Sequence, residues 1–235
     1  MRREEIKEFI KPYGLLVNFL ESRFKYEVAM QDNCPIMDVS SRVKMIDSVL
    51  NKLLKKELTI YEMEKLTDIA GIRLVVRFKE DIPKVCQLIR DCGIKIIEER
   101  DYINKVKKKS GYRAYHFILE EKGMFVEIQI RTFAMDTWAN LEHDIRYKPT
   151  SLVTDEMEMK LASTVKYAHE VDEIASFLYK ESLKLTKDDG TLEMLRVLTA
   201  EDKYNVLVNK MFSLILEMRM IMLNIGEELS KNEYT

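Results

Sequence analysis

The segment 126–132, Val-Glu-Ile-Gln-Ile-Arg-Thr, alternates apolar and polar residues with a period of two. This alternation is typical of a β-strand that buries one face. Because successive side chains of a strand point to opposite sides, Glu127, Gln129 and Arg131 are predicted to form one row on the other face. A strand whose polar face simply meets water is the alternative interpretation of this segment alone.

A second segment, 72–78, also has the pattern of a strand, with the sequence Ile-Arg-Leu-Val-Val-Arg-Phe. Its alternation predicts Arg73 and Arg77 on one face, and Asp68 precedes it. If both strands lie in one sheet, a single face gathers two carboxylates, one carboxamide and three guanidinium groups. A sheet that only faces water does not need this set, whereas a site that holds a metal ion and several phosphates does.

Composition narrows the class of protein. The 235 residues suffice for one domain with extensions or for two small domains, and 46% of them are hydrophobic. The net charge of −2 argues against nucleic acid or an anionic membrane as a bulk partner, so any basic site has to be local. Three cysteines without Cys-x-x-Cys spacing indicate reduced thiols and predict a cytoplasmic protein. The sequence shows no apolar run of membrane-spanning length and no apolar segment of a signal peptide.

A basic helix start is predicted after the N-terminal helix. Ser41 and the serine before it are candidate N-caps for a helix near 41–57. Arg42 and Lys44 would then lie in its first turn, with Lys52 two turns further on. The helix dipole disfavours cations at this end. Basic residues such as Arg42 and Lys44 in the first turn therefore suit an anionic ligand that also binds the free backbone N–H groups of the helix.

The remaining elements follow from periodicity and from turn residues. They are predicted as a helix over 2–30, the strand 72–78, a crossover helix over 83–92, strands over 94–101 and 113–120, the strand 126–132, a helix over 133–146, and two long helices over about 152–186 and 192–231. Gly93 is expected to end the crossover helix, and Gly123 to close a turn. The last helix alternates apolar spacings of four and three, a coiled-coil seam that predicts a homo-oligomer.

Residues 104–113 form a basic segment with five cations, no acid and one aromatic residue, Tyr112. A solvated surface loop is one interpretation. A phosphate-binding loop with Tyr112 as a stacking platform for a base is the other.

Five groups of residues together resemble a known family, the synthetase domain of RelA/SpoT-type alarmone enzymes. The groups are Pro35-Ile36 with Ser41-Arg42-Val43-Lys44, Thr67-Asp68-Ile69-Ala70-Gly71-Ile72-Arg73, Gly111-Tyr112-Arg113-Ala114-Tyr115-His116, Val126-Glu127-Ile128-Gln129-Ile130-Arg131-Thr132, and Trp138-Ala139-Asn140-Leu141-Glu142-His143. The resemblance covers roughly residues 10–150. The length of the chain is similar to that of the single-domain small alarmone synthetases.

The resemblance implies an α+β fold, a mixed β-sheet flanked by helices and similar to nucleotidyltransferases. It implies a catalytic domain over 1–150, including the N-terminal helices, and a C-terminal helical extension for oligomerisation over 151–235. The implied activity is that of a GTP or GDP pyrophosphokinase of the stringent response. ATP would give its β,γ-pyrophosphate to the ribose 3′-hydroxyl of GTP or GDP, making (p)ppGpp and AMP. We expect Mg²⁺ as cofactor and a homotetramer or other homo-oligomer, with neither a membrane nor nucleic acid required.

Roles for single residues are also implied by the resemblance. Asp68 and Glu127 would hold Mg²⁺, or Glu127 would accept the proton of the 3′-hydroxyl. Gln129 would orient the acceptor ribose and Glu127. The ATP-binding residues would be Arg42 and Arg73, on either side of adenine, with Lys44, Lys52 and Arg77 at the phosphates. The residues that bind GTP or GDP would be Tyr112 at the base, with Lys107, Lys108, Lys109, Arg113 and His116 at the phosphates.

Two other classes of protein stay open. One is a nucleotidyltransferase that modifies an RNA end, which would share the metal-carboxylate core but should have a broader basic surface. The other is a catalytically idle nucleotide-binding or RNA-binding regulator. The presence of Asp68, Glu127 and Gln129 argues against the regulator, since a protein that only binds does not need them.

Overall fold

The computed structural model describes residues 2–30, 34–105, 111–147 and 154–185. In this part of the chain, five strands form one sheet in the spatial order β1-β2-β5-β4-β3. The strands are β1 (Ile36–Val43), β2 (Ala70–Val76), β3 (Lys95–Asp101), β4 (Tyr115–Glu121) and β5 (Met124–Thr132). The helices are α1 (Arg2–Met30), α2 (Ile46–Lys55), α3 (Ile82–Arg90), α4 (Phe133–Tyr147) and α5 (Asp155–Leu185). Only β2 and β5 pair in parallel, so the sheet is mixed, as predicted.

The hydrophobic core lies between one face of the sheet and the first three helices. The helix α1 keeps Pro12 inside it and buries Tyr13, Leu20 and Phe24, which share one side at helical spacing. Aliphatic side chains of the two central strands complete this core, together with residues of α2 and α3. Fully burying a side chain such as Phe24 contributes roughly 1.5–3 kcal/mol, so this core holds the sheet in place.

The strand pairing aligns the polar face of the sheet in two rows. Gly71 of β2 pairs with Glu127 of β5 on one side and with Arg42 of β1 on the other. The next row, two residues along β2, joins Ser40, Arg73, Gln129 and His116 across four strands. Because residues paired across a sheet point to the same side, these polar side chains share the face opposite the main core.

A smaller apolar cluster supports the end of that polar face. It is built by Trp138 and Ala139 of α4 with Leu161 of α5. Gly111 approaches it so closely that a Cβ atom there would lie 2.7 Å from a methyl group of Val165. Gly111 also has φ of +71°, which only glycine adopts without strain. The cluster therefore fixes the backbone just before Tyr112.

The predicted helix near 41–57 is wrong in its first part. Residues Ile36–Val43 form strand β1, and the helix begins only at Ile46. Arg42 therefore lies on a strand, and the argument from helix N–H groups does not apply to it. The register of β1 shifts between Ile36 and Asp38, and this irregularity hides the period of two. Pairing with β2 along the whole segment is what makes it a strand.

Most other predicted elements are confirmed within a few residues. Gly93 and Gly123 take positive φ after α3 and between β4 and β5, as expected. The first long C-terminal helix is α5, whereas the predicted helix over 192–231 lies outside the described residues. Contacts divide the chain into two compact units, with the division after Asp172, inside α5. The functional division at residue 150 stays a prediction.

Candidate active site

A cleft of about 180 Å³ opens on the polar face of the sheet. It is lined by Ser40, Ser41, Arg42, Asp68, Gly71, Ile72, Arg73, Glu127 and Gln129. Five of the site residues predicted from the sequence thus line one cleft, at the two rows defined by the strand register or next to them: Arg42, Asp68, Arg73, Glu127 and Gln129. The hydroxyl of Ser41 donates a hydrogen bond to Glu21 of α1, which ties this edge of the cleft to the N-terminal helix.

Asp68 lines the cleft just before β2 and binds two lysines through one oxygen. Its Oδ2 accepts hydrogen bonds from Lys52 at 2.9 Å and Lys44 at 3.2 Å. Burial raises the pKa of the Asp68 carboxyl, but the hydrogen bond and charge of Lys52 and the charge of Lys44 outweigh it, so the pKa lies below its ordinary value. Asp68 is therefore ionised at neutral pH.

The second oxygen of Asp68 makes the site suitable for a cation. Its Oδ1 is buried and has no hydrogen-bond partner among the described residues. A buried carboxylate oxygen in this state is costly unless a further ligand binds it. Asp68 also lies close enough to Glu127 for its charge to raise the pKa of that carboxyl. No group of three or more His, Cys, Asp or Glu side chains that fits a metal is found in the described ranges, so phosphate oxygens would have to complete a metal site.

Glu127 is held at both carboxylate oxygens. Its Oε1 lies 3.0 Å from Nδ1 of His116, and its Oε2 accepts a hydrogen bond of 2.7 Å from Gln129. Burial alone would raise the pKa of Glu127, but the hydrogen bonds from His116 and Gln129 outweigh it, so the pKa lies below its ordinary value. The structure thus presents an ionised carboxylate with a fixed orientation.

Arg131 closes a ring of hydrogen bonds around Glu127. Its Nη2 donates to Oη of Tyr112 and to Oε1 of Gln129, both at 2.7 Å. Oη of Tyr112 lies 2.8 Å from Nε2 of His116. Since Tyr112 accepts from Arg131, its own proton points to His116, and His116 donates from Nδ1 to Glu127. This assignment gives each of these hydrogen bonds one donor and one acceptor.

Tyr112, predicted from the sequence as a stacking platform, binds two neighbours through its hydroxyl in the structure. The guanidinium of Arg131 lies 5.2 Å from the centre of the Tyr112 ring. Tyr102 and His116 contact the ring edge-on. Burial raises the pKa of the Tyr112 hydroxyl in spite of the charge and hydrogen bond of Arg131. The hydroxyl is therefore a neutral donor that holds His116.

Asp136, in the first turn of α4, is a functional candidate that the sequence analysis missed. Its carboxylate contacts Nε of Arg73 and accepts a hydrogen bond from Nη1 of Arg131, both at 3.0 Å. Asn140, one turn later, donates to Asp136 and accepts from Arg73. Asp136 stands five residues after Arg131, where a helix follows a strand directly. That position was the available signal for an acid facing the row of guanidinium groups.

The remaining predicted residues are divided between the cleft and its surroundings. Arg42 is exposed and lines the cleft together with Arg73. Arg77 is exposed beyond the end of β2 and is not among the lining residues. Nη1 of Arg113 lies 3.0 Å from Nδ1 of His169 in α5, so the structure does not bring it to Glu127. Lys107, Lys108 and Lys109 lie outside the described residues.

None of the helices in the described ranges combines the length and the apolar composition needed to cross a bilayer.

Comparison with known proteins gives consistent matches. Residues 41–151 match the family described as "Region found in RelA / SpoT proteins". GTP pyrophosphokinase YjbM of Bacillus subtilis is 34% identical over 187 residues, which are 74% of this chain and 88% of that protein. GTP pyrophosphokinase YwaC of the same organism is 35% identical, over 76% of this chain and 92% of that protein. The crystal structure of small alarmone synthetase 1 from Bacillus subtilis bound to its product pppGpp matches with a TM-score of 0.70. It shares 32% identity, over 76% of this chain and 98% of that one.

Proposed function

The chain belongs to the RelA/SpoT family, and we propose that the cleft between β1, β2 and β5 is its active site. The protein is a GTP pyrophosphokinase that makes (p)ppGpp in the stringent response. The observation that carries the assignment of the site is the convergence of two ionised carboxylates, Asp68 and Glu127, with two arginines, Arg42 and Arg73, on the lining of one cleft.

The reaction forms one bond and breaks another at the β-phosphorus of ATP. The 3′-oxygen of GTP or GDP attacks this phosphorus, and the bond to the oxygen that bridges the α- and β-phosphates breaks. AMP leaves with that oxygen, and the acceptor gains the pyrophosphate. The hydroxyl is a poor nucleophile until a base draws on its proton. Glu127 is ionised and oriented by His116 and Gln129, and it accepts this proton.

Asp68 and Glu127 fit Mg²⁺, which prefers oxygen ligands and is commonly bound by one or two carboxylates together with phosphates. The buried Oδ1 of Asp68, which lacks a hydrogen-bond partner in the described part of the chain, supports this assignment. Mg²⁺ would neutralise charge on the phosphates of ATP when it is bound there. Lys44 and Lys52 already stand beside Asp68 and would contact the same phosphates.

The ATP side of the cleft is formed by flat guanidinium groups. Arg42 and Arg73 belong to neighbouring rows of the sheet, and Gly71 between them adds no side chain. A planar base would fit between such groups, and lysine could not replace arginine in stacking. Arg77, at the end of β2, is kept as a candidate for the outer phosphates.

The acceptor side is built around Tyr112. We assign the guanine base to its ring and the ribose to Gln129, which binds Glu127 directly. The remaining candidates for the acceptor phosphates are Lys107, Lys108, Lys109, Arg113 and His116. The burial of His116, which is 6% exposed, and its bonds at both ring nitrogens support a role for it in holding Glu127 instead.

A homotetramer or other homo-oligomer is part of the proposal. An apolar stripe on α1 supports it, because Leu15, Phe19, Tyr26 and Met30 are 59–76% exposed and recur at helical spacing on the side opposite the core. A light-scattering mass equal to one chain at micromolar concentration would contradict it. We place the protein in the cytoplasm, where ATP and guanine nucleotides are available, with no requirement for a membrane or for nucleic acid.

The proposed site is tested by one substitution in one assay. The protein is incubated with ATP, Mg²⁺ and GTP or GDP, and the nucleotides are separated by anion exchange. Wild type should give AMP and the pyrophosphorylated guanosine nucleotide in equal amounts. Glu127→Gln should lower turnover by orders of magnitude while binding ATP like wild type, and Glu121→Gln, at the end of β4, is the matched control. Full activity of Glu127→Gln would remove Glu127 from the reaction. In a parallel incubation of wild type with RNA in place of the guanine nucleotide, transfer to the RNA end would favour the nucleotidyltransferase alternative.

A further inference from the structure

Arg131 is a buried guanidinium to which the proposed reaction gives no role. It is 5% exposed, yet it binds groups that belong to three different segments of the chain. It donates to Tyr112 and to Gln129. It also donates to Asp136. A buried charge with so many partners is costly to misplace, so its position is well defined.

Asp136 links this guanidinium to a second one. The same carboxylate contacts both Arg131 and Arg73. The positive charges of the two arginines repel each other: burial has the largest lowering effect on the pKa of Arg73, and the charge of Arg131 lowers it further. The distance between the arginines therefore depends on the carboxylate between them. Any ligand that fixes Arg73 also fixes Asp136, and through it Arg131.

From Arg131 the connection reaches Glu127 by two routes. One passes through Tyr112 and His116 to Oε1, and the other passes through Gln129 to Oε2. A displacement of Arg131 thus changes the base platform and the orientation of Glu127 together.

We propose that Arg131 and Asp136 are positioning residues that couple the two nucleotide subsites, so that a nucleotide bound at Arg73 tightens binding at Tyr112. The inference rests on the proposed assignment of ATP to the first subsite and of the guanine nucleotide to the second. Coupling of this kind is reciprocal, and a carboxylate shared by two cations is a physical element that both ligands bias.

The test measures the affinity for GDP with and without a saturating ATP analogue whose α,β-bridging oxygen is a methylene group. This analogue cannot lose its pyrophosphate at the bond that the reaction breaks, so binding is measured without turnover. Titration calorimetry of wild type should show GDP binding that is tighter with the analogue, by a factor within the typical range of about 5 to 150. The reverse titration should give the same factor.

The main variant is Asp136→Asn, which keeps the shape and one acceptor oxygen but removes the charge. In this variant, the ratio of the GDP affinity with the ATP analogue to the GDP affinity without it should fall close to one. The control is Asp144→Asn, on the exposed side of the same helix, with a wild-type ratio. Partial loss of folded protein would reduce the number of binding sites equally in the two GDP titrations, and the ratio of the two affinities would stay unchanged. If Asp136→Asn does not fold, Arg131→Lys is measured, since lysine cannot reach Tyr112, Gln129 and Asp136 at once.

The outcomes separate this inference from the proposed function. Wild type that forms no product from ATP and GDP would overturn both. Wild type that forms product but has a ratio of one would overturn the coupling alone. A wild-type ratio retained in Asp136→Asn would likewise overturn it, with the assignment of the active site intact.

Discussion

Replacement of His116 tests whether this residue holds Glu127 or binds an acceptor phosphate. Its Nδ1 donates to Glu127 at 3.0 Å, and its Nε2 accepts from Tyr112 at 2.8 Å. His116→Leu removes both bonds and leaves Oε1 of Glu127 buried without a donor. His116→Asn is the matched variant, because its amide nitrogen can take the place of Nδ1 while the bond to Tyr112 is lost.

The expected magnitude follows from the hydrogen bond to a charged group. Such a bond contributes about 1.5–3 kcal/mol, and 1.4 kcal/mol corresponds to a factor of ten. If Glu127 must be oriented to accept the 3′-hydroxyl proton, His116→Leu should lower kcat roughly 10- to 150-fold. The KM for GDP should change little. His116→Asn should recover part of the loss.

Steady-state kinetics with ATP and GDP distinguish the two roles. A residue that binds an acceptor phosphate would instead raise the KM for GDP and leave kcat near its wild-type value. That result would refute the positioning role and return His116 to the phosphate-binding set. Thermal denaturation of both variants shows whether the fold is kept.

Three further predictions concern other parts of the molecule. Tyr112→Ala should raise the KM for the acceptor about 5- to 150-fold, because base stacking is worth ~1–3 kcal/mol, and an unchanged KM would remove the ring from the site. Tyr112→Phe keeps the ring, so it should keep that KM and lower kcat. At pH 8, iodoacetamide should modify the half-buried Cys34 and spare Cys86, because burial raises the pKa of the Cys86 thiol to about 12; mass spectrometry of the native protein checks this. Lys52→Gln should move acid unfolding to higher pH. The pKa of Asp68 is lowered in the folded chain, so ionised Asp68 stabilises the fold above its unfolded pKa, and this stabilisation is lost as the pH falls through the folded pKa. Without Lys52 the folded pKa of Asp68 rises and the loss begins at higher pH; an unchanged unfolding midpoint by circular dichroism would contradict this.

Strand periodicity, a strong local signal, predicted the part of the candidate site that lies on β2 and β5. Alternation in 72–78 and 126–132 placed Arg73, Glu127 and Gln129 on one face without knowledge of the partner strands. The strand order, with β2 beside β5, brings these side chains into one cleft. Two short polar rows in neighbouring strands are thus enough to indicate a site before its geometry is known.

Other parts of the site depend on long-range contacts and were missed. Serines that look like helix caps precede Arg42, but pairing with β2 outweighs this local preference and makes the segment a strand. Asp136 looks like an ordinary acid in the first turn of a helix, where the dipole favours it. Its bonds to Arg73 and Arg131 span 63 and 5 residues, and only the folded sheet brings both arginines to it. The predicted interface over 192–231 stays untested.

Because the two polar rows are defined by the register of four strands, the tolerance of this protein to insertions should be uneven. One added residue inside β2 or β5 would turn every later side chain of that strand over, sending polar residues such as Arg73 or Glu127 toward the aliphatic core and apolar residues such as Leu74 or Ile128 toward solvent. Such a chain would fail to assemble, so a population of slightly mispaired but partly active molecules should not exist. The turn at Gly123, in contrast, joins two strands away from the rows and is the natural place to lengthen the loop or to attach a reporter. Catalytic activity in a library of insertions would then report strand pairing directly.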